Sequence, residues 1–480
     1  MWTAWIEHVR IRTDGSAHRP RPNRDFGKQI SRTCCPLCKR ARVAVGGSAV
    51  KSERVIRLLA ASAAAIAMAM GAVSPMATAA TAEPTPEENL DYWWNAYGVD
   101  AAHQEGFTGS GVKVAVLEKQ INPELPVFQG RSLRVFDQPL CVNKTTVATT
   151  EPTSAAVHGT TMTAYVIGNG TGAGGVRGIA PDADVTFYGY GEDDGPSCNT
   201  ADGAQITEFA AGVKQATDDG AKIILTSIGG TARVDDAPAV AYAISHGAVV
   251  IAASINPGVL GAIYDDLGSF NGVVSAAGIN RDGSLQTEDG EPFVIPQTTV
   301  VAAGVDMPAV GSTGDWSTSV GATGSSFAPP IIAGMLALAA QRSPQATGNQ
   351  LVQALVATTN GAQHTPTRTE DGYGYGAAWL PSLLTVDPTT LPDETPLMGK
   401  PAGFPTEEQI AQAKANGYSP DERSSSTDKY REQNGASQSD AAPITLRVAI
   451  GLGLLVIAAI IITVIVVLTQ RRKASKERAE

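Results

Sequence analysis

Positive charge is scarce over most of this sequence. The 480 residues hold 36 Lys and Arg against 47 Asp and Glu. Residues 1–57 take 13 of the basic and 4 of the acidic side chains, and the last ten residues take 5 and 2. The body between them keeps 18 basic and 41 acidic groups, a net of −23. Such a surface repels a phosphate backbone, which argues against nucleic acid as a partner. Cysteine is equally sparse. Cys34, Cys35 and Cys38 lie near the start, and a lone Cys35-Pro36-Leu37-Cys38 lacks the second pair that completes a zinc site. No calcium loop and no internal repeat is recognisable, so the expectation is no metal and no other cofactor.

The remaining cysteines, Cys141 and Cys198, form an even pair. In an exported body the expected outcome is a disulfide, and two free thiols are the alternative. Export is itself an expectation from the ends of the chain. Residues 1–54 form a basic leader, and a true start near Val50 or an unusually long n-region would account for it. Residues 55–82 read "VIRLLAASAAAIAMAMGAVSPMATAATA" beside Lys51, Arg54 and Arg57, the pattern of a secretory signal peptide with A-x-A sites. Val448–Leu468 is a charge-free apolar run of the length that crosses a bilayer. The basic tail, 469–480, follows it with Arg471, Arg472, Lys473, Lys476 and Arg478. The positive-inside rule puts that tail in the cytoplasm and the body outside, as a single-pass protein of the cell membrane.

Residues 83–110 read as a polar N-terminal extension with an aromatic cluster at Tyr92-Trp93-Trp94. From 111 to 385 apolar strand-like runs alternate with helical patterns. "VKVAVL" (112–117), "DVTFYGY" (184–190), "KIILTSI" (222–228), "AVVIAASI" (248–255) and "GVVSAAGI" (272–279) are expected strands. Residues 204–220 carry Ile206, Phe209, Val213 and Ala216 at helical spacing. Strands that are apolar throughout suit a parallel sheet covered on both faces, so the expected class is a doubly wound α/β fold plus a C-terminal transmembrane helix. Residues 386–443, rich in Pro, Ser, Asp and Gln, read as a polar stalk.

Four pieces carry candidate chemistry. Glu118 ends the first strand on an acid. His158 stands in "VHGTTMTAYVIGNG", with a small residue after it and a helix expected to start at the His; a capping or surface histidine is the plain alternative. Asn256 is read as ending the strand "AVVIAASIN" at the carboxyl edge of the sheet, where open α/β sheets bind ligands, or as a turn residue before Pro257. Ser325 and Ser326 follow Gly324, read as a tight turn, at the start of a buried helix. A serine there sits beside free backbone N–H groups, or is a simple N-cap.

In this order, the four pieces resemble the subtilisin-like serine peptidases, whose motifs run V-A-V-I-D-T-G, H-G-T, A-A-G-N and G-T-S-M-A-A-P. The resemblance spans residues 88–385 and includes "GVRGIAPDADV", "GAKIILTSIGG" and "GYGYGAAWLPSLL". The chain looks most like the mycosins, exported and C-terminally anchored peptidases attached to type VII secretion systems. The resemblance implies Ser326 as nucleophile, His158 as general base, Glu118 as the orienting acid, and Asn256 with the backbone N–H of Ser326 as the oxyanion hole. It also implies a protein or peptide substrate and a secretion complex as partner. The sequence departs from the pattern in four places. Glu118 replaces Asp and is one methylene longer. Lys119-Gln120 replace Thr-Gly or Ser-Gly. Ser254-Ile255 precede Asn256, and Pro329 stands where Ala is usual. Asp137 is too far along the chain to replace Glu118 simply. Two functions remain open: an anchored serine endopeptidase, and a scaffold of the same fold with little or no activity. A ligand-binding ectodomain, the third, leaves the ordered motifs without a purpose.

Overall fold

The computed structural model describes residues 91–419, apart from 139, 143–146, 192–197, 200–204, 231 and 260–265. The leader, the signal segment, residues 83–90 of the N-terminal extension, residues 420–443 of the expected stalk, the run at 448–468 and the basic tail lie outside the described residues. Among the described residues no helix is long and apolar enough to cross a membrane.

The framework is a seven-stranded sheet whose strands all run parallel. Its strands are β1 (Lys113–Glu118), β2 (Leu133–Val135), β3 (Asp184–Gly189), β4 (Ile223–Thr226), β5 (Val249–Ala253), β6 (Val273–Ile279) and β7 (Val300–Ala303). The spatial order is β7-β6-β5-β4-β1-β3-β2. The chain first moves to one side of β1, then crosses to build β4 to β7 on the other. β1 therefore sits where the direction of winding reverses, the place where such sheets open a crevice at their carboxyl ends.

The period of two along β1 explains the layering. Val114 and Val116 join one apolar cluster, while Ala115 and Leu117 join another. The first cluster holds helices α3 (Ser154–Ile167), α6 (Ala328–Arg342) and α7 (Gly348–Ala357), and the second holds α4 (Glu208–Asp218) and α5 (Ala237–Ser245). Each fully buried Val or Leu contributes about 1.5–3 kcal/mol relative to exposure, so a strand buried on both faces holds its register firmly. Two strands escape the sequence pattern. β2 is three residues long on the sheet edge, with Arg134 exposed between half-buried neighbours, and β7 is four residues between threonines and Gly304.

The flanks of the body depart from expectation. Residues from 91 belong to the core: Tyr92–Ala96 (α1) buries Trp93 to 1% exposure, with Tyr165 of α3 at 5.1 Å between ring centroids. Helix α2 (Val99–Gln104) follows. At the other end, residues 386–419 are not a solvated stalk. Leu397, Ala402 and Phe404 are buried, and Phe404 packs on Phe270 at 5.2 Å. The segment ends in α8 (Glu407–Asn416), capped by Thr406, whose side chain accepts from Gln409 N. Polar composition hid three apolar anchors spaced too irregularly to show a period.

Candidate active site

β1 delivers Glu118 to the carboxyl edge of the sheet, 1% exposed. A carboxylate at such depth requires partners. One of its oxygens accepts the backbone N–H of Ser227 at 2.9 Å, and the other lies 2.9 Å from Nδ1 of His158. The parallel register pairs Leu117 with Thr226, which places the next amide, that of Ser227, beside Glu118. With Nδ1 donating to Glu118, Nε2 carries the lone pair, the tautomer a general base needs. The extra methylene of glutamate is accommodated with the hydrogen bond closed.

Helix α3 positions His158. Its N-cap is Thr153, whose hydroxyl accepts from Ala156 N at 3.0 Å and donates to Gln120 Oε1 at 2.8 Å. The helix thus starts at Ser154, four residues before the position expected, and His158 lies in its second turn. The reason is the Thr153 cap, a stronger start signal than the His itself. Gly159 permits the close approach to β1: a Cβ there would sit 2.2 Å from Gln120 O and 3.2 Å from Glu118 Cβ. Thr160 Oγ1 accepts the Asn122 amide at 2.9 Å, a second tie between the exit of β1 and α3.

A 3₁₀ turn, Ser325–Phe327, leads into α6, whose first turn tolerates Pro329 and Pro330. Phe327 and Tyr165 meet at 5.2 Å, packing this turn onto α3. Ser325 N donates to Asn256 Oδ1 at 2.7 Å, and Ser325 Oγ accepts from Gly278 N at 3.2 Å. The first bond fixes the Asn256 amide, leaving Nδ2 as its donor end. Asn256 lies three residues beyond β5, in the loop and not on the strand. Gly324 is extended (φ 167°), a conformation any residue adopts, so no turn freedom is required there. Its smallness matters instead, since a Cβ would lie 3.3 Å from Asn256 Nδ2.

Glu118, Lys119, His158, Gly229 and Ser326 line one cleft of about 440 Å³. His158 is a third exposed to it. Burial disfavours the imidazolium, but the charge of Glu118 and its hydrogen bond outweigh that, and the net effect holds the pKa above the ordinary 6.5; Lys119 opposes the rise. Ser227 and Gly229 carry no catalytic signature in the sequence, although their run, "SIGG", follows β4 directly. Cys141 and Cys198 are joined in a disulfide. Among the described residues, no group of three or more His, Cys, Asp or Glu is placed to hold a metal ion.

Comparison with known proteins gives the same frame. Residues 109–376 match the model of the subtilase family. The thermostable alkaline protease of Halalkalibacterium halodurans is 27% identical over 275 residues, which are 57% of this chain and 68% of that protein. Subtilisin BL of Lederbergia lenta is 30% identical over 256 residues, 52% of this chain and 84% of its own length. Among solved structures, the MycP3 protease of the type VII (ESX-3) secretion system superimposes with a TM-score of 0.48 at 22% identity, covering 63% of this chain and 90% of that one.

Proposed function

The chain belongs to the subtilase family, and on that premise we propose that it is a membrane-anchored extracytoplasmic serine endopeptidase. The observation that carries the reading is the 2.9 Å contact between Glu118 and His158 Nδ1, on a cleft that Ser326 also lines. In this reading His158 Nε2 takes the proton of Ser326 Oγ as that oxygen attacks the scissile carbonyl carbon. Negative charge moves to the carbonyl oxygen, where Asn256 Nδ2 and the Ser326 amide donate to it. The imidazolium, stabilised by Glu118, protonates the leaving amine. Water then repeats the sequence to release the acyl group. The substrate is a protein or peptide, and no cofactor takes part.

Anchoring rests on sequence pattern alone. The proposal places 448–468 across the cell membrane, the body outside and the tail in the cytoplasm. A type VII secretion complex is the proposed partner, suggested by the mycosin motif resemblance. One observation favours a second reading, that of a weakly active or inactive scaffold. Lys119 replaces a small residue and its charge works against the imidazolium at His158. A fluorophosphonate probe on the folded full chain separates the two. Labelling at Ser326, abolished in Ser326→Ala, is the expected result; a folded wild type that does not label leaves the scaffold.

A further inference from the structure

Residues 397–405 lie laced along one turn of the body. Gly272 N donates to Leu397 O at 2.9 Å, Asn271 N to Phe404 O at 2.9 Å, and Ala402 N to Ser269 O at 3.2 Å. Asn271 answers with its side chain, accepting from Lys400 N at 2.9 Å and donating to Pro405 O at 3.1 Å. At the centre of this lacing is an ammonium group. Lys400 Nζ donates to Gly268 O at 2.7 Å, Val273 O at 2.5 Å and Thr299 Oγ1 at 3.0 Å. All three donor positions of a lysine are thereby used. Burial pushes the Lys400 pKa down to about 7, against the attraction of Asp266, itself 1% exposed.

The oxygens Lys400 gathers lead toward the cleft by two routes. Gly268 follows Leu267, whose amide donates to Gly230 O at 3.1 Å, and Gly229 lines the cleft. Thr299 Oγ1 accepts from Ser275 N at 3.0 Å, and Ser275 Oγ lies 2.9 Å from Ser254 Oγ, two residues before Asn256. A Cβ on Gly229 would lie 3.8 Å from Ser254 O, so the two routes end side by side.

We propose that Lys400 is a positioning residue for the cleft: its ammonium clamps the Gly268–Val273 turn to Thr299 and so fixes the Gly229–Gly230 and Ser254–Asn256 segments against each other. The strap that carries it lies in the segment whose polar composition reads as a stalk. The proposal rests on the endopeptidase reading only for its effect on catalysis. The clamp itself is a matter of local opening, which amide hydrogen exchange reads without any activity.

The test compares wild type, Lys400→Met and Lys400→Ala as full chains. The alanine variant is also measured with propylammonium, which restores the ammonium and most of the lost methylenes. The clamp predicts about tenfold faster exchange in peptides covering 227–230 and 254–256 in both variants. Propylammonium, but not propanol, reverses this in Lys400→Ala. In an active enzyme KM for an extended peptide rises about tenfold, while labelling of Ser326 by a small fluorophosphonate changes less than about threefold. Faster exchange confined to 397–405, with both cleft segments unchanged, overturns the proposal. So does a general loss of protection that propylammonium leaves in place. A wild type that fails to label defeats the endopeptidase reading alone, because the exchange result still decides the clamp.

Discussion

One carboxylate, that of Glu118, is shared between the imidazole of His158 and the amide of Ser227, each at 2.9 Å. The Ser227 contact anchors one oxygen to the neighbouring strand, so the other is held where the ring needs it. Glutamate has one more rotatable bond than aspartate, and the second hydrogen bond removes that freedom.

The pH dependence of catalysis follows from His158. Its folded pKa is raised above 6.5 through the charge and hydrogen bond of Glu118, which outweigh burial. A general base works deprotonated, so the acid limb of kcat/KM is expected above pH 6.5. The Lys119 charge lowers the His158 pKa, so Lys119→Thr moves that limb to higher pH. Stability carries the opposite sign. The folded pKa exceeds the unfolded one, so the stabilisation by the charged pair is complete below pH 6.5 and is lost as pH rises through the folded pKa. A pH–rate profile of the two proteins checks the first claim, and chemical denaturation across the same range checks the second.

Gly159→Ala tests the packing of α3 on β1. Its Cβ would meet the backbone oxygen of Gln120 at 2.2 Å, so one element must retreat. The expected cost is about 1–3 kcal/mol in stability. The expected fall in kcat/KM is about 10²-fold, because the retreat moves His158 by the order of 1 Å. Wild-type stability in this variant contradicts the close approach.

Asn256→Ala removes the amide whose oxygen is held by Ser325 N at 2.7 Å. The expected loss is about 2.7–4 kcal/mol of transition-state stabilisation, seen in kcat with little change in KM. A loss confined to KM contradicts a role in stabilising the oxyanion.

The Cys141–Cys198 bridge closes a loop with a sequence separation of 57. Replacing both with Ser is expected to cost about 2–4 kcal/mol, measured by denaturant unfolding. Mass mapping after non-reducing digestion checks the bridge directly, and two free thiols contradict it.

The sheet's central strands were legible because each is apolar on both faces, and a run such as "KIILT" leaves few other choices. The order of acid, His-Gly-Thr, Asn and Gly-Ser-Ser is legible because Glu118 ends a strand, Asn256 lies just past one and Ser325 opens the turn into a helix, while His158, inside α3, is legible only through its place in that order. What stayed hidden depends on partners distant in sequence. Ser227 matters through its backbone amide, which carries no residue signature. Lys400 and Phe404 lie in a stretch whose composition reads as solvated, and only the turn at 268–273 gives them a place. Gln120 looked like the loss of a small residue, yet its side chain accepts from the cap of α3. Such a tie needs the structure to be seen.

The role proposed for Glu118 is to complete the catalytic group with His158 and Ser326. Its most direct test is kcat/KM of wild type and Glu118→Gln on one peptide substrate, with folding of both verified. The amide keeps the shape but neither fixes the tautomer of His158 nor stabilises its imidazolium. The expected fall is about 10⁴-fold, as for the corresponding change in an aspartate triad. Equal activity of the two proteins contradicts it.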